Sequence, residues 1–157
     1  MSGARFLVIV PTYNELDNLP RKVPLVLEQD ERLEVLVVDD ASPDGTGDLA
    51  AELAAENERV HLLRRTSKDG LGKAYLAGFD WGLSRGYDLL IEMDADISHP
   101  ADALPGLIEA AKDHQVVIGS RYVDGRVTVS NWPMSRLLVS YFGSWYARTI
   151  TRMPVRD

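Results

Sequence analysis

Short apolar runs, rich in β-branched residues, alternate along this chain with longer segments of helical period, and this alternation restricts the fold more than any other feature. Strands that alternate with helices are typical of layered α/β domains with a mostly parallel sheet. A strand covered on both faces is nearly all apolar. Five runs fit that description: residues 6–10, 35–39, 60–63, 89–93 and 116–119. We therefore predict an α/β fold with a mostly parallel central sheet flanked by helices.

Four helices are predicted between and after these strands. In residues 47–56 and 72–83 the apolar side chains recur on one helical face. A third helix is predicted over residues 101–112, with Pro105 in its first turn, where the missing amide hydrogen costs little. The fourth, over residues 136–151, lies in a tail that glycine and proline interrupt. No final strand or helix stop closes the chain, so we expect it to be a piece of something longer.

Composition narrows the kinds of function open to the chain. Its 157 residues, 45% of them hydrophobic, suit one compact domain with a real core. Because cysteine is absent, disulfides, zinc–thiolate sites and thiol catalysis are excluded, and any metal must use oxygen or imidazole ligands. The first apolar run is too short for a signal peptide or a membrane span. The lack of cysteine also favours an intracellular setting.

Charge is distributed unevenly along the chain. The net charge of −7 argues against a surface built for nucleic-acid phosphates, so no nucleic-acid partner is expected. Residues 1–120 carry 11 basic and 22 acidic side chains, whereas residues 121–157 carry six arginines and two aspartates. The cationic end is suited to phosphates, but solvated surface arginines explain it equally well, and charge alone does not decide between the two.

Polar residues follow four of the five predicted strands. Residues 11–15, 39–45, 94–96 and 120–122 supply carboxylates, hydroxyls and a guanidinium. Ligands of open α/β sheets bind outside the carboxyl ends of the strands. We therefore expect these four segments to converge on one ligand site.

Asp94 and Asp96 lie two residues apart at the end of an apolar strand. In extended chain both carboxylates point the same way, separated by two strand rises of ~3.3 Å each. Such a pair repels unless a cation neutralises it, and Mg²⁺ or Mn²⁺ held by carboxylates and diphosphate oxygens fits that need. An isolated pair is more often a turn or helix cap, but its place among polar strand ends favours a metal site. His99 is interpreted as a loop or cap residue outside that site.

Three other features leave alternatives open. Asp39 and Asp40 fit a strand-ending turn and a ribose- or base-binding carboxylate equally well. The glycines of residues 68–73 suit an anion site at a helix N-terminus or an ordinary loop, and no P-loop or Gly-x-Gly-x-x-Gly spacing is present. Arg121 and Arg136 are candidates for binding a diphosphate or a lipid phosphate. The scattered histidines give no serine-hydrolase triad.

Five motifs occur in order along the chain. They are Val-Pro-Thr-Tyr-Asn-Glu at 10–15, Val-Val-Asp-Asp-Ala-Ser-Pro-Asp at 37–44, Met-Asp-Ala-Asp at 93–96, Gly-Ser-Arg-Tyr at 119–122 and Asn-Trp-Pro at 131–133. The first three indicate only a broad superfamily, whereas the full set resembles the polyprenol-phosphate (dolichol-phosphate) mannose synthases. These are inverting family 2 glycosyltransferases with the GT-A (Rossmann-like) fold. The resemblance covers essentially the whole of residues 1–157.

The resemblance implies a single GT-A catalytic domain, with a nucleotide-sugar-binding core at 1–120 and an acceptor-side loop and helix at 121–157. The implied reaction is that of a dolichyl-phosphate β-D-mannosyltransferase: metal-dependent transfer of mannose, with inversion, from GDP-mannose to a polyprenyl or dolichyl monophosphate. The implied location is peripheral, at the cytoplasmic face of a membrane, and the implied partners include the membrane surface and a membrane-anchored subunit or domain.

The resemblance also implies roles for individual residues. Catalytic roles fall on Asp94, Asp96, Arg121 and Arg136, with the two arginines binding phosphate. The donor-binding set is Pro11, Tyr13, Glu15, Val38, Asp40, Asp94, Ala95 and Asp96. The implied metal ligands for Mg²⁺ or Mn²⁺ are Asp94, Asp96 and Ser98, where many family members carry glutamine at the last position.

Two rival functions remain compatible with these motifs. One is a family 2 transferase that uses UDP-glucose or another nucleotide sugar at the same metal site. The other is a truncated nucleotide-binding module without turnover, which the early end of the chain favours.

The absence of an obvious general base does not argue against catalysis, because a phosphate monoester, with a second pKa of about 6, is already anionic near neutral pH.

Overall fold

The computed structural model describes residues 3–96, 99–120, 122–123, 126–127 and 134–152. The predictions made for Ser98, Arg121 and the motif at 131–133 lie outside these ranges, as does the side chain of Arg136. The chain divides into two compact units, Met1–Pro105 and Gly106–Asp157.

The first unit is built on a four-stranded parallel sheet with strand order β3-β2-β1-β4. The strands are β1 (Phe6–Thr12), β2 (Leu33–Asp39), β3 (Val60–Arg64) and β4 (Leu89–Glu92). The connecting helices are α1 (Leu19–Leu27), α2 (Thr46–Glu56) and α3 (Leu71–Leu83), and a 3₁₀ turn, Ala101–Ala103, follows β4. The predicted parallel sheet flanked by helices is confirmed, and the first four predicted strands fall within one or two residues of their observed bounds.

The two central strands form the middle of the core. Every residue from Leu7 to Val10 and from Val35 to Val38 is fully buried. Successive side chains of a strand point to opposite faces, so burial of consecutive residues means that both faces of the sheet are covered. On one face Leu7, Ile9, Leu36 and Val38 pack with Ala74 of α3 and with Tyr87.

Helix α3 approaches the sheet through small residues. Its buried positions are Ala74, Gly78 and Gly82, which recur every four residues and share one helical face. A Cβ atom built on Gly78 would collide with Cγ2 of Ile9. The helical period of α3 also predicts the larger residues Tyr75, Phe79 and Leu83 on the buried face. They lie at the edge of that face, because Tyr75 and Phe79 are half-buried and Leu83 is 65% exposed.

Helix α1 is not among the predicted helices. Pro20 lies in its first turn, where no amide hydrogen is needed, and Pro24 lies inside it. The signal that could have found this helix is its apolar spacing, since the buried positions Leu19, Val23, Val26 and Leu27 fall on one helical face.

The second unit is largely helical among its described residues. Helix α4 (Leu104–Ala110) follows the 3₁₀ turn. The helix predicted over 101–112 is therefore confirmed, except that its first three residues form the 3₁₀ turn and not an α-helical turn. Strands β5 (Tyr122–Val123) and β6 (Arg126–Val127) pair antiparallel, and α5 (Met134–Thr151) confirms the predicted tail helix. Within the described ranges, no helix combines the length and apolar character needed to cross a membrane.

The fifth predicted strand, residues 116–119, is wrong. These residues form no strand in the described part of the chain, and Val116 and Ile118 are 76% and 52% exposed. A short apolar run becomes a strand only where a neighbouring strand supplies backbone hydrogen bonds, and local sequence does not record whether such a neighbour exists.

Candidate active site

A cleft of about 310 Å³ opens at the carboxyl edge of the sheet in the first unit. The chain leaves β1, β2 and β4 beside it, as expected for a ligand site of an open α/β sheet. Seven of the eight predicted donor-binding residues line the cleft: Pro11, Tyr13, Glu15, Asp40, Asp94, Ala95 and Asp96. The eighth, Val38, has its side chain fully buried in the core, and its contribution to a nucleoside stays a prediction.

Two residues that line the cleft, Asp94 and Asp96, belong to a cluster of side chains that could hold a metal ion. Asp94, Asp96 and His99 each offer one ligand atom, and the three atoms lie within 4.8 Å of one another. His99 Nδ1 is 3.3 Å from Oδ2 of Asp94. A divalent ion therefore has two carboxylates and an imidazole within reach of a single position.

Tyr75 of α3 orients the first of these carboxylates. Its hydroxyl donates a hydrogen bond of 3.1 Å to Oδ1 of Asp94. Burial and the negative charge of Asp94 raise the pKa of Tyr75, so the hydroxyl stays protonated near neutral pH and remains a donor. One carboxylate oxygen of Asp94 is therefore hydrogen-bonded to Tyr75 of α3, and the other lies beside His99.

His99 is the ligand candidate that the motif spacing did not identify. In sequence it stands three residues beyond Asp96, without any repeated ligand spacing, and this position indicates a loop or cap residue. The structure places its imidazole next to the carboxylate of Asp94. The signal in the sequence is the presence of a histidine three residues after the Asp-x-Asp pair.

The residues that line the cleft also include an aromatic ring, a carboxylate and a cation, namely Tyr13, Asp40 and Lys68, and Arg65 contacts Asp40. Lys68 Nζ lies 3.6 Å from the centroid of the Tyr13 ring, a cation–π contact. Arg65 Nη1 is 2.6 Å from Oδ1 of Asp40, and both side chains are largely buried. Neither Lys68 nor Arg65 is among the predicted site residues. Glu15 accepts a hydrogen bond of 2.7 Å from the side chain of Asn18.

The two aspartates at the end of β2 have different surroundings. Asp39 accepts hydrogen bonds from the hydroxyl and the backbone amide of Ser42 and from the hydroxyl of Thr12, so it holds the turn after the strand. Asp40 lines the cleft. The turn reading of the pair is therefore confirmed for Asp39, and binding of a ribose or base by Asp40 stays a prediction.

The loop before α3 contributes its backbone to the cleft. Gly70 precedes the helix with φ of 100°, a value that favours glycine, and both Gly70 and Leu71 line the cleft. The amide groups at a helix N-terminus favour a negative charge, which makes this edge of the cleft compatible with a phosphate.

Comparison with known proteins agrees with this geometry. The fold, a parallel sheet flanked by helices with its cleft at the carboxyl edge, is that of the GT-A glycosyltransferases. The model of the family described as "Glycosyl transferase family 2" matches residues 7–155. This chain belongs to that family.

Two curated relatives are similar over nearly the whole chain. An undecaprenyl-phosphate mannosyltransferase of Micrococcus luteus is 54% identical over 153 residues, which are 98% of this chain and 63% of the relative. A polyprenol monophosphomannose synthase of Mycolicibacterium smegmatis is 54% identical over 155 residues, 98% of this chain and 58% of the relative. The chain therefore spans less than two thirds of the length of either protein.

A solved structure shares both fold and sequence with the chain. The mannosyltransferase PcManGT from Pyrobaculum calidifontis, in complex with GDP-Man and Mn²⁺, is 32% identical and superimposes with a TM-score of 0.55. The similarity covers 67% of this chain and 31% of that protein.

Proposed function

We propose that this domain transfers mannose, with inversion, from GDP-mannose to the phosphate of a polyprenyl or dolichyl monophosphate. The observation that carries the proposal is the cluster of Asp94, Asp96 and His99 beside a cleft that Tyr13 and Asp40 also line. Such a cleft suits a nucleotide sugar that lies with its diphosphate at the cluster and its nucleoside beside Tyr13 and Asp40. The names of the two curated relatives and the GDP-Man complex of PcManGT support mannose as the sugar.

The residues at the cluster fit a divalent metal ion. Mg²⁺ takes oxygen ligands almost exclusively, whereas Mn²⁺ also accepts imidazole, so the presence of His99 favours Mn²⁺. When bound, such an ion neutralises the negative charge of the diphosphate, including the charge that develops there as GDP leaves. The contribution predicted for Ser98 remains part of this proposal.

In the proposed reaction a phosphate oxygen of the acceptor forms a bond to the anomeric carbon of mannose. The bond between that carbon and the diphosphate oxygen breaks, and GDP leaves with the electron pair. No strong general base is needed, because the acceptor phosphate is already anionic near neutral pH. The protein's part is to orient the two reactants and to stabilise charge, and we assign acceptor and diphosphate binding to Arg121 and Arg136.

Asp40 is the residue we assign to base recognition. Its carboxylate accepts hydrogen bonds, and the Watson–Crick edge of guanine offers two adjacent donors, against one on uracil. Arg65 holds this carboxylate in place within the cleft. We therefore expect GDP to bind more tightly than UDP in the presence of Mn²⁺, as measured by calorimetry. Tighter binding of UDP would contradict the mannose assignment and favour a UDP-sugar transferase.

Replacing Asp96 tests the metal site directly. We expect Asp96→Ala to abolish the Mn²⁺-dependent part of GDP-mannose binding, because it removes one of the two carboxylates. The matched control is Asp102→Ala in the 3₁₀ turn, where the side chain is exposed and does not line the cleft. Equal losses in both variants would indicate a folding defect and would count against the site.

A turnover assay separates an enzyme from a binding module. Labelled GDP-mannose and a short polyprenyl phosphate are mixed with the purified chain, and lipid-linked mannose is extracted and counted. We expect product only with metal and acceptor both present. Because the chain spans 63% and 58% of its two relatives, GDP binding without product would identify it as the donor-binding part alone.

We further propose that α5 lies on the membrane surface where the acceptor resides. Its large exposed side chains include Tyr141, Trp145 and Ile150, and Arg148 and Arg152 lie toward its carboxyl end. Aromatic and aliphatic residues enter the headgroup region while arginines meet lipid phosphates. In sedimentation with anionic vesicles, Trp145→Ser should weaken binding, whereas Leu83→Ser, another exposed apolar change on a helix, should not. Equal binding by all three proteins would argue against this surface.

A further inference from the structure

Lys22 is a buried cation close to the candidate metal site. It lies on α1 and is only 4% exposed. Lysine is almost never buried to this degree without specific partners, because transferring an ammonium group out of water is costly. A lysine that keeps such a position has partners that offset that cost.

The partners of Lys22 belong to the loop after β4. Its Nζ donates a hydrogen bond of 2.8 Å to the backbone carbonyl of Asp96 and one of 2.6 Å to the backbone carbonyl of His99. Burial lowers the pKa of Lys22, and the negative charges of Asp96 and Asp94 oppose that effect. The ammonium group therefore binds the backbone of two candidate ligands, Asp96 and His99. It also lies close enough to Asp94 and Asp96 for their negative charges to act on it.

The side of α1 that carries Lys22 is fixed by the core. Leu19, Val23 and Val26 of the same helix are buried to at least 97%. The hydrogen bonds of Lys22 therefore connect the loop to an element that packing already holds in place. Groups that orient ligands in this way raise metal affinity by reducing the reorganisation that binding requires.

We propose that Lys22 is a positioning residue for the metal site. By binding the carbonyls of Asp96 and His99 with one nitrogen, it holds both residues where their side chains can share an ion with Asp94. This inference rests on the proposed function, because it assumes that the cluster binds a metal ion.

The substitution Lys22→Met separates two possible roles of Lys22, because a positioning role and a purely electrostatic role predict opposite changes in Mn²⁺ affinity. Methionine keeps much of the apolar side-chain volume but has neither the charge nor the donors. If Lys22 acted only through its charge, its removal would relieve repulsion and Mn²⁺ would bind more tightly. If it positions the loop, Mn²⁺ affinity should fall by about 10- to 100-fold, the range found when groups that orient metal ligands are removed.

The experiment measures Mn²⁺ affinity by calorimetry and by the electron paramagnetic resonance signal of free Mn²⁺. The matched control is Arg21→Met, which removes a neighbouring cation from the exposed face of the same helix. Lys22→Arg keeps the charge and the donors and should restore affinity in part. Unchanged or tighter binding by Lys22→Met would overturn the proposal.

A second readout needs no metal. Hydrogen–deuterium exchange of metal-free protein should show faster exchange in a peptide covering residues 94–103 for Lys22→Met, with β1 unchanged. If the wild-type protein binds no Mn²⁺, the proposed metal site fails, yet this exchange difference still shows whether Lys22 holds the loop. Unchanged exchange would refute the role of Lys22. Should the methionine variant not fold, Lys22→Gln, which keeps one donor, is tested against the same criteria.

Discussion

At the scale of single residues, two neighbouring arginines at the end of β3 form ion pairs of unequal burial. Arg65 faces Asp40 at 2.6 Å, with side-chain exposures of 15% and 7%, and also lies 3.6 Å from Asp69. Its neighbour Arg64 pairs with Asp48 at 2.7 Å, but these two side chains are 52% and 79% exposed. Removing one member of a buried pair leaves an uncompensated charge, whereas an exposed pair contributes little because water screens it.

We expect Arg65→Met to lower the free energy of unfolding by about 3 kcal/mol, because the buried carboxylate of Asp40 loses its facing cation. Chemical denaturation of the ligand-free protein measures this change. Arg64→Met is the control and should change stability by less than about 1 kcal/mol. Adding Asp40→Asn to Arg65→Met should recover part of the loss. Equal effects of the two arginine changes would show that burial does not set the difference.

At the scale of elements, the close approach of α3 to the sheet depends on the absence of side chains. Gly78 faces Ile9, and a Cβ built on Gly82 would lie 2.6 Å from Cδ2 of Leu90. The atom facing Gly78 is Cγ2 of a β-branched side chain, which cannot rotate away easily. The atom facing Gly82 is the far end of a leucine, which can adjust.

Gly78→Ala should destabilise the protein by about 1–3 kcal/mol through overpacking, even though alanine favours a helix by ~1 kcal/mol. Gly82→Ala should cost less. Gly72→Ala, in the same helix with open space around its Cα, should leave the melting temperature unchanged or raise it. Thermal unfolding of the three variants gives the ranking. A stabilising Gly78→Ala would mean that α3 lies farther from β1 than described.

At the scale of the first unit as a whole, the sheet has two chemically different ends. Its carboxyl edge carries the open cleft, while a polar network covers the amino-terminal side of the strands. There Glu34 accepts hydrogen bonds from Arg5 at 3.0 Å and from the hydroxyl of Tyr87 at 2.6 Å, and it lies 2.6 Å from Nε2 of His61. The Trp81 ring packs against His61 and Tyr87.

This network makes stability depend on pH. Burial raises the pKa of Glu34, but the hydrogen bonds from Tyr87, His61 and Arg5 outweigh it, so the pKa lies below its ordinary value of 4.5. A carboxyl group with a lowered folded-state pKa stabilises the protein above its unfolded pKa and loses that contribution as the pH falls through the folded value.

Glu34→Gln should therefore be less stable than the wild type near pH 6, and the difference should shrink as the pH falls below about 4.5. Urea denaturation at several pH values measures it. The same change at Glu52, an exposed position on α2, is the control. A difference that stayed constant down to pH 3 would show that ionisation of Glu34 is not its source.

Much of this architecture follows from local sequence. Apolar runs predicted β1 to β4, and helical periodicity predicted α2, α3 and α5, because both patterns depend on which neighbouring residues share a face. The polar residues after β1, β2 and β4 predicted the cleft, since parallel strands bring their carboxyl ends to one edge. The same reasoning produced the wrong strand at 116–119, because strand pairing is not a local property.

The contacts between residues far apart in the chain depend on the tertiary structure and could not be predicted from local sequence. Asp94 and Asp96 could be recognised from their spacing. The partners that give them a chemical environment could not, since Tyr75 lies 19 residues before Asp94 and Lys22 lies 74 residues before Asp96. Arg65 reaches Asp40 across 25 residues. Local sequence patterns predicted β1 to β4, the helices other than α1 and the carboxylates at the sheet edge, because these patterns depend on neighbouring residues. Packing of α1 and α3 on the sheet, together with the pairing of β3 with β2, decided which distant side chains lie at the candidate site.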